Sequence, residues 1–268
     1  MRELKLDGIE EKYNQVKAFM GTLGKISRDF NTKQGITEDY AGPFNQRYDL
    51  ERLVAEIRKN LIYFLVRQLN TELCPNVTIS EEDIEKQLTE KFGELGFSAH
   101  FIHHHIQANF VTRSAALSHE EILTKARHLV PSRWDNHEQR KSTLDELVKG
   151  RKLVLNAYME SYYANSRDGL TALEKLVKIV LDDEDPTTVT GHKISTIYWQ
   201  NTGDEYYRTN ELEDKNIEKV RAHKNNKFLV YFKDEEKARK VALALLNQPF
   251  SVSTLGRPRR LLAVKKQE

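Results

Sequence analysis

The sequence predicts an α+β protein: an N-terminal helical, bundle-like part, followed by a small antiparallel sheet with covering helices. Up to Pro131, apolar residues recur at intervals of three and four, as on the buried face of a helix. After Pro186, β-branched and aromatic residues gather in short runs that favour strands. We therefore predict a helical domain over residues 1–131 and an α+β domain over residues 132–268, which ends in a hairpin and a basic tail.

The first two helices are predicted from the spacing of their apolar residues and from the residues that begin or end a helix. The opening helix ends at Gly21 and Gly24, and a polar, glycine-containing loop then runs to Tyr48. Asp49 caps a second helix that extends to Asn70. The residues of this helix expected to point inward are Leu50, Leu53, Val54, Ile57, Leu61, Phe64, Leu65 and Leu69.

Three further helices are predicted in the first part, two of them from capping signals. Ser80 and Asp83 form a capping signal, a helix covers Ser98 to Thr112, and Ser118 repeats the capping signal. Pro131 ends the last of these helices. The first part is therefore expected to be helical throughout, apart from its connecting loops.

The second part mixes helices and strands. Asp168 and Asp234 are each predicted to cap a helix, and residues 194–199 are predicted to form a strand. Residues 152–156 fit either a strand or a helix. Two strands over 217–223 and 227–232 form the hairpin, because the asparagines between them tolerate the positive φ of a tight turn. The tail over 250–264 is expected to add an edge strand.

Composition limits the classes of protein. Of 268 residues, 39% are hydrophobic and 31% charged, which suits a folded, well-solvated chain. No segment approaches the roughly 20 apolar residues that span a bilayer, and the N-terminus lacks an apolar signal segment. Cys74 is the single cysteine, so an internal disulfide and a CxxC site are excluded. We expect a cytoplasmic protein without a membrane partner.

Two clusters have residue types and spacing that occur in metal sites. His100, His103 and His104 share one helix face, a spacing that can chelate a transition metal, but the glutamate of an HExxH motif is missing. Asp204 and Glu213 precede Lys215 in the order of a metal-dependent nuclease, but in a polar segment. The interpretation preferred for both is a solvated surface. The sequence also lacks a GxGxxG motif and a P-loop, so no cofactor and no catalytic residue are predicted.

The basic residues of the hairpin and tail predict a nucleic-acid surface, although the net charge of the chain is only +2. Alternation along a strand places Lys219, Arg221 and His223 on one face, where they can contact phosphates, and Tyr206 and Tyr207 can stack on bases. The full candidate set is Arg208, Lys219, Arg221, His223, Lys224, Arg257, Arg259 and Arg260. The other interpretation is that the lysines protect an exposed strand from edge pairing.

Two segments resemble a family of bacterial proteins known as domain of unknown function 4942. These are residues 147–155, with the sequence LVKGRKLVL, and the stretch from Tyr206 to Phe232, which contains HKNNKFLVYF. The resemblance implies a protein of plasmids, phages or genomic islands, where some members are fused to adenine-type DNA methyltransferases. This chain has no DPPY-like tetrapeptide and no glycine-rich S-adenosylmethionine loop, so the resemblance implies a relative without that activity.

The function expected from these observations is that of a non-enzymatic, nucleic-acid-associated accessory or anti-defence protein of a bacterial mobile element. A protein–protein interaction factor that inhibits a host defence enzyme without binding DNA is the alternative. A metal-dependent nuclease is the second alternative. The sequence leaves the oligomeric state open.

Overall fold

The structure is a computed structural model, and it describes residues 5–33, 47–135, 138–157, 164–200 and 203–248. The chain divides into two compact units, Met1–Leu117 and Ser118–Glu268, each with its own apolar core. Helices make up the described part of the first unit, and a five-stranded antiparallel sheet lies in the second, so the predicted α+β class is confirmed. The division precedes the predicted one at Pro131, because Ile122 and Ala126 are buried in the second core.

The first unit is built from helices that pack around α2. In chain order they are α1 (Leu6–Lys33), α2 (Arg47–Leu73), α3 (Glu81–Phe92), α4 (Ala99–Asn109) and the start of α5 (Ser114–Arg127). Helix α2 contacts α1, α3 and α4. Among the described residues of the whole chain, no helix combines the length and the apolar character that crossing a membrane requires.

Helix α1 continues through the two glycines that were predicted to end it. Gly21 and Gly24 both lie inside the helix, which runs on to Lys33. An interior glycine costs a helix only about 1 kcal/mol, so it weakens a long helix without ending it. The predicted loop from Gly21 to Tyr48 is therefore wrong where it is described, and residues 34–46 lie outside the described residues.

Helix α2 begins at Arg47, so the prediction that Asp49 caps it is wrong. Its buried side chains include three of the predicted inward residues and two others: Val54, Leu65, Leu69, Ile62 and Val66. Leu53 and Phe64, also predicted inward, remain 41% and 54% exposed. The apolar stripe of α2 is thus wider than the face that the neighbouring helices cover.

A buried arginine connects α2 to the segment between α3 and α4. Arg58 is only 3% exposed, and its Nε donates to the carbonyl oxygen of Gly96 at 2.6 Å. One of its terminal nitrogens donates to the Thr89 hydroxyl at 3.0 Å. The Tyr13 hydroxyl donates to the carbonyl oxygen of Leu95 at 2.9 Å, and burial raises the pKa of that hydroxyl. Side chains of α1 and α2 therefore hold this connection in place.

Of the two serine caps predicted in this region, the one at Ser80 is confirmed, and Ser98, predicted as the first residue of a helix, is found to cap α4. Ser80 accepts a hydrogen bond from the backbone of Asp83 at 3.2 Å, and Ser98 accepts one from Phe101 at 3.3 Å. Ser118 does not cap a helix, because α5 already begins at Ser114 and Ser118 lies buried inside it. Apolar period alone could not distinguish these two starting points.

The second unit contains a separate hairpin and a five-stranded sheet. After α5 come β1 (Ser132–Asp135), β2 (Glu138–Lys141), α6 (Leu144–Leu147), β3 (Val148–Lys149), β4 (Lys152–Asn156), α7 (Ala164–Asp182), α8 (Lys193–Gln200), β5 (Thr209–Glu211), β6 (Ile217–Ala222), β7 (Lys227–Phe232) and α9 (Glu235–Leu245). Strands β1 and β2 pair with each other. The other strands lie in the order β3-β4-β7-β6-β5, and all neighbours are antiparallel.

The predicted hairpin is confirmed as β6 and β7. Asn226 in the connecting turn has a φ of 62°, the positive value that an asparagine tolerates. Asp234 then caps α9 by accepting a hydrogen bond from the Lys237 backbone at 2.8 Å, also as predicted. The predicted edge strand over 250–264 lies outside the described residues.

One face of the sheet forms the second core. Alternate residues of the central strand β7 are fully buried: Phe228, Val230 and Phe232. Helix α9 packs on β3, β4 and β7, and α7 packs on both α8 and α9. The ring of Tyr198, on α8, meets the Phe228 ring edge-on with centroids 5.5 Å apart. The helices thus cover this face of the sheet.

One capping prediction and one strand prediction are wrong around α7 and α8. Helix α7 begins at Ala164, so Asp168 does not cap it, and residues 194–199 lie in a helix rather than a strand. The carboxylate of Glu174, which is 3% exposed, accepts a hydrogen bond from the Ile194 backbone at 3.1 Å. Because the first backbone N–H groups of a helix lack partners within it, this long-range contact stabilises the start of α8.

Replacing Gly21 with alanine should stabilise the protein by about 0.5–1 kcal/mol, because alanine loses less conformational freedom in a helix. A Cβ at Gly21 meets nothing within 4 Å. Urea unfolding followed by circular dichroism measures the change. The same substitution at Gly93, whose φ is +80°, should destabilise the protein instead. Equal shifts in the two variants would contradict this account of α1.

Replacing Glu174 with methionine should destabilise the protein by about 1–3 kcal/mol, because the Ile194 N–H is left buried without an acceptor. Glu174→Gln is the matched control, since its amide oxygen can accept the same hydrogen bond. Chemical unfolding of both variants measures the difference. If the methionine variant is as stable as the glutamine variant, the contact does not hold α8.

Candidate nucleic-acid interface

The second face of the sheet is exposed in the described part of the chain. On β4, β7 and β6, the residues that alternate with the buried ones are exposed or half-buried. They are Lys152, Val154 and Asn156 on β4, Lys227, Leu229 and Tyr231 on β7, and Lys219 and Arg221 on β6. We call this surface the open face.

Strand register places an aromatic ring between two lysines. Tyr231 pairs with Lys152 on one side and with Lys219 on the other, and Lys219 in turn pairs with Glu211. The ammonium groups of Lys152 and Lys219 lie 5.2 and 5.6 Å from the centroid of the Tyr231 ring. These distances fall within the range of cation–π attraction. Tyr231 is therefore a cation-flanked ring near the middle of the sheet.

The next row of the open face combines apolar and basic character. Leu229 pairs with Val154 on β4 and with Arg221 on β6. Beyond this row, Asn156 pairs with Lys227. Tyr231, Leu229 and Val154 therefore form a small apolar centre, and cations lie on either side of it.

A β-bulge in β6 lets Lys219 and Arg221 lie on the open face while Ile217 is buried on the other face. Ile217 pairs with Phe232 and Lys219 with Tyr231, so Glu218 is the extra residue between them. Without the bulge, strict alternation would place Lys219 on the same face as Ile217, which is buried. The bulge lets β6 contribute to the core at one end and present cations at the other.

Positive charge exceeds negative charge on and beside the open face. Its described cations include Lys149, Arg151, Lys152, Lys219, Arg221 and Lys227, and its described carboxylates include Glu211 and Glu218. Glu218 forms ion pairs with Arg151 at 2.5 Å and with Lys219 at 3.1 Å. The hydrogen bond from Lys219 is the main reason that the pKa of Glu218 is lowered. Within the described residues, Arg221 and Lys227 form no ion pair.

The structure brings together only part of the predicted basic set. Lys219 and Arg221 lie on the open face, two residues apart on one strand. Lys224 instead pairs with Asp204 at 2.9 Å, and Arg208 lies 4.0 Å from a carboxylate oxygen of Glu205. The remaining three cations of the set, Arg257, Arg259 and Arg260, lie outside the described residues.

His223 differs from the cations around it. Its side chain is half-buried, and its Nε2 has no hydrogen-bond partner among the described residues. Burial lowers the pKa of His223, and the positive charges of Arg221 and Lys227 lower it further. A neutral imidazole makes no ionic contact with a phosphate, so His223 does not contribute charge to the predicted row at neutral pH.

The tyrosines predicted to stack on bases are not on the open face. Tyr206 and Tyr207 pack against the second core, and the ammonium of Lys224 lies 5.6 Å from the Tyr207 ring. Tyr231 and Lys152 were not predicted, and Lys227, one of the basic residues of the hairpin, is not in the predicted candidate set. The alternation of β7 contained the signal for Tyr231 and Lys227, but the pairing with β4 was not readable from local sequence.

The two candidate metal clusters have other partners. Asp204 pairs with Lys224, whereas Lys215 pairs with Asp182 at 2.7 Å, so the nuclease-like residues form separate ion pairs. The Nε2 of His100 lies 2.6 Å from the carboxylate of Asp7. Among the described residues, no group of three or more histidine, cysteine, aspartate or glutamate side chains is placed to hold a metal ion.

Comparisons with protein-family models, with curated proteins and with solved structures find no match for this chain. The resemblance to the family of domain of unknown function 4942 therefore stays a prediction.

The pKa of His223 should lie below its ordinary value of 6.5 in an NMR titration of the imidazole signals. Arg221→Gln should raise this pKa, because one repelling cation is removed, but not fully to 6.5, because burial is the larger cause. Lys237→Gln, on the helix that covers the opposite side of the sheet, is the control and should leave the pKa unchanged. An ordinary pKa in the wild-type protein would contradict the burial of His223.

Proposed function

We propose that this chain binds nucleic acid through the open face, as a non-enzymatic accessory protein. The observation that carries the proposal is the excess of cations on a sheet face that also presents an aromatic ring. Lysine and arginine side chains bind nucleic acid by neutralising phosphates and releasing condensed counterions. Arg221 and Lys227 are suited to this role, because neither forms an ion pair within the described residues.

The strand order argues against edge protection as the reason for these cations. The edges of the sheet are β3 and β5, whereas Lys152, Lys227 and Arg221 lie on β4, β7 and β6. Lys152 lies between its strand partners Lys149 and Tyr231, so it has no free edge to protect. Arg221 likewise lies between Thr209 and Leu229. Phosphate binding explains the placement on inner strands.

The role of an accessory or anti-defence protein of a bacterial mobile element is part of the same proposal. It is supported by the resemblance of residues 147–155 and 206–232 to the family of domain of unknown function 4942. These two segments contain strands β4, β6 and β7, which form the open face. The segments that carry the resemblance are thus the ones that carry the proposed activity.

A protein-binding function is the second candidate, and a different observation favours it. The first unit exposes large apolar side chains: Phe19, Ile26, Phe30, Leu53, Phe64 and Phe92. On α1, the spacing of seven and four residues places Phe19, Ile26 and Phe30 on one helix face. An exposed apolar patch of this kind is typical of protein interaction sites, as in an inhibitor of a host defence enzyme.

Affinity for a fluorescent single-stranded oligonucleotide should fall with salt between about 50 and 200 mM. Replacing Lys152, Arg221 and Lys227 together with glutamine should make the slope of log affinity against log salt about two units shallower, because each single-strand phosphate contact contributes about 0.7. Lys237→Gln, on the covered side of the sheet, is the control. Absence of binding at low salt, or an unchanged slope in the triple variant, would move the protein-binding function to first place.

A further inference from the structure

We propose that the nucleic acid recognised by the open face is single-stranded, and that one of its bases stacks on the ring of Tyr231. This inference rests on the proposed function and adds the class of nucleic acid. It assigns a distinct role to each kind of residue on the surface: the cations hold phosphates, and Tyr231 holds a base.

Tyr231 occupies the position that a stacking platform requires. It lies on β7, the third of the five strands, and points away from the buried Phe232 and Val230. Tyr231 is only partly buried, although an ordinary core tyrosine would be fully covered. Leu229, two residues earlier on the same face, extends the apolar surface by about 7 Å along the strand. The surface can therefore contact one base on the ring and a second on Leu229.

The lysines on either side of Tyr231 lie where they can contact the phosphates that flank a stacked base. Lys152 and Lys219 lie on the two strands that flank β7, which are each about 4.8 Å away. A base over the ring thus has a cation on both sides, where the backbone phosphates before and after it pass. The flexible four-carbon stem of lysine lets each ammonium turn from the ring to a phosphate.

A duplex cannot use this arrangement. In a duplex, the faces of the bases are stacked on one another, and only their edges are reachable in the grooves. A flat sheet face with its aromatic ring near the centre can contact base faces only when the strand is unpaired. Duplex DNA can still meet the cations, so it should bind by charge alone.

The experiment compares single-stranded and duplex DNA of about 12 nucleotides or base pairs, with wild type, Tyr231→Val and Tyr231→Phe. Valine keeps the β-propensity of the position and removes the ring. Tyr231→Val should weaken binding to the single strand by about 5- to 140-fold, the loss of one stacked base, and should leave duplex binding unchanged. Tyr231→Phe should bind the single strand like wild type, since the ring is kept.

The salt dependence separates stacking from charge. Tyr231→Val should keep the salt slope of the wild type, because no phosphate contact is lost, whereas Lys152→Gln should reduce the slope by about 0.7. Tyr63→Leu, which removes a half-exposed tyrosine of the first unit, is the matched control and should change neither affinity nor slope. Thermal melting of each variant shows whether the fold is retained.

Each outcome distinguishes this inference from the proposed function. If the protein binds nucleic acid and the cation variants weaken binding, but Tyr231→Val and wild type bind the single strand equally, the stacking role is wrong and the proposed function stands. If duplex binding is as tight as single-strand binding and falls equally with Tyr231→Val, the class of nucleic acid is wrong. If nothing binds at low salt, both are wrong.

Discussion

The alternation of side chains along β7 is the constraint on which the second unit depends. Phe228, Val230 and Phe232 point into the core, and the residues between them point to the open face. A slip of one residue in the pairing of β7 would exchange these two sets. Exposing three such side chains would cost about 1.5–3 kcal/mol each, a large part of the 5–15 kcal/mol by which a typical domain is stable. The core thus determines what the open face presents.

The open face is assembled from parts of the chain that are far apart in sequence. Strand β4 contributes Lys152, and β7 contributes Tyr231 and Lys227, with the whole of α7 and α8 between them. Helix α8 is held at its start by Glu174 and packs Tyr198 beneath β7. The helical side of the sheet therefore positions the strands without taking part in the surface itself.

Local signals were predictable from the sequence, and long-range ones were not. The caps at Ser80 and Asp234 and the turn at Asn226 each depend on neighbouring residues, and all three are confirmed. The strand predicted over 194–199 is a helix, because its start is stabilised by a carboxylate 20 residues earlier in the chain. The end of α1 was misplaced for an energetic reason, since the cost of the two interior glycines, about 1 kcal/mol each, is smaller than the gain from packing a long helix.

In the candidate site, too, local features could be predicted from the sequence and long-range features could not. Lys219 and Arg221 were identified correctly as one outward-facing pair, although that outcome depends on the bulge at Glu218, which no sequence pattern indicated. Tyr206 and Tyr207 were the obvious aromatic residues beside the hairpin, but they pack against the core. Whether an aromatic residue faces solvent was decided by register, a property of the whole sheet.

The solitary cysteine of the chain has a practical consequence. Cys74 is fully buried in the core of the first unit, and burial raises the pKa of its thiol, so the reactive thiolate is disfavoured in the folded state. A thiol reagent can reach it only when that unit opens. Since the second unit contains no cysteine, its opening exposes no thiol that the reagent could label. The rate of labelling in the unmodified protein therefore reports the opening of one unit alone, without an introduced probe.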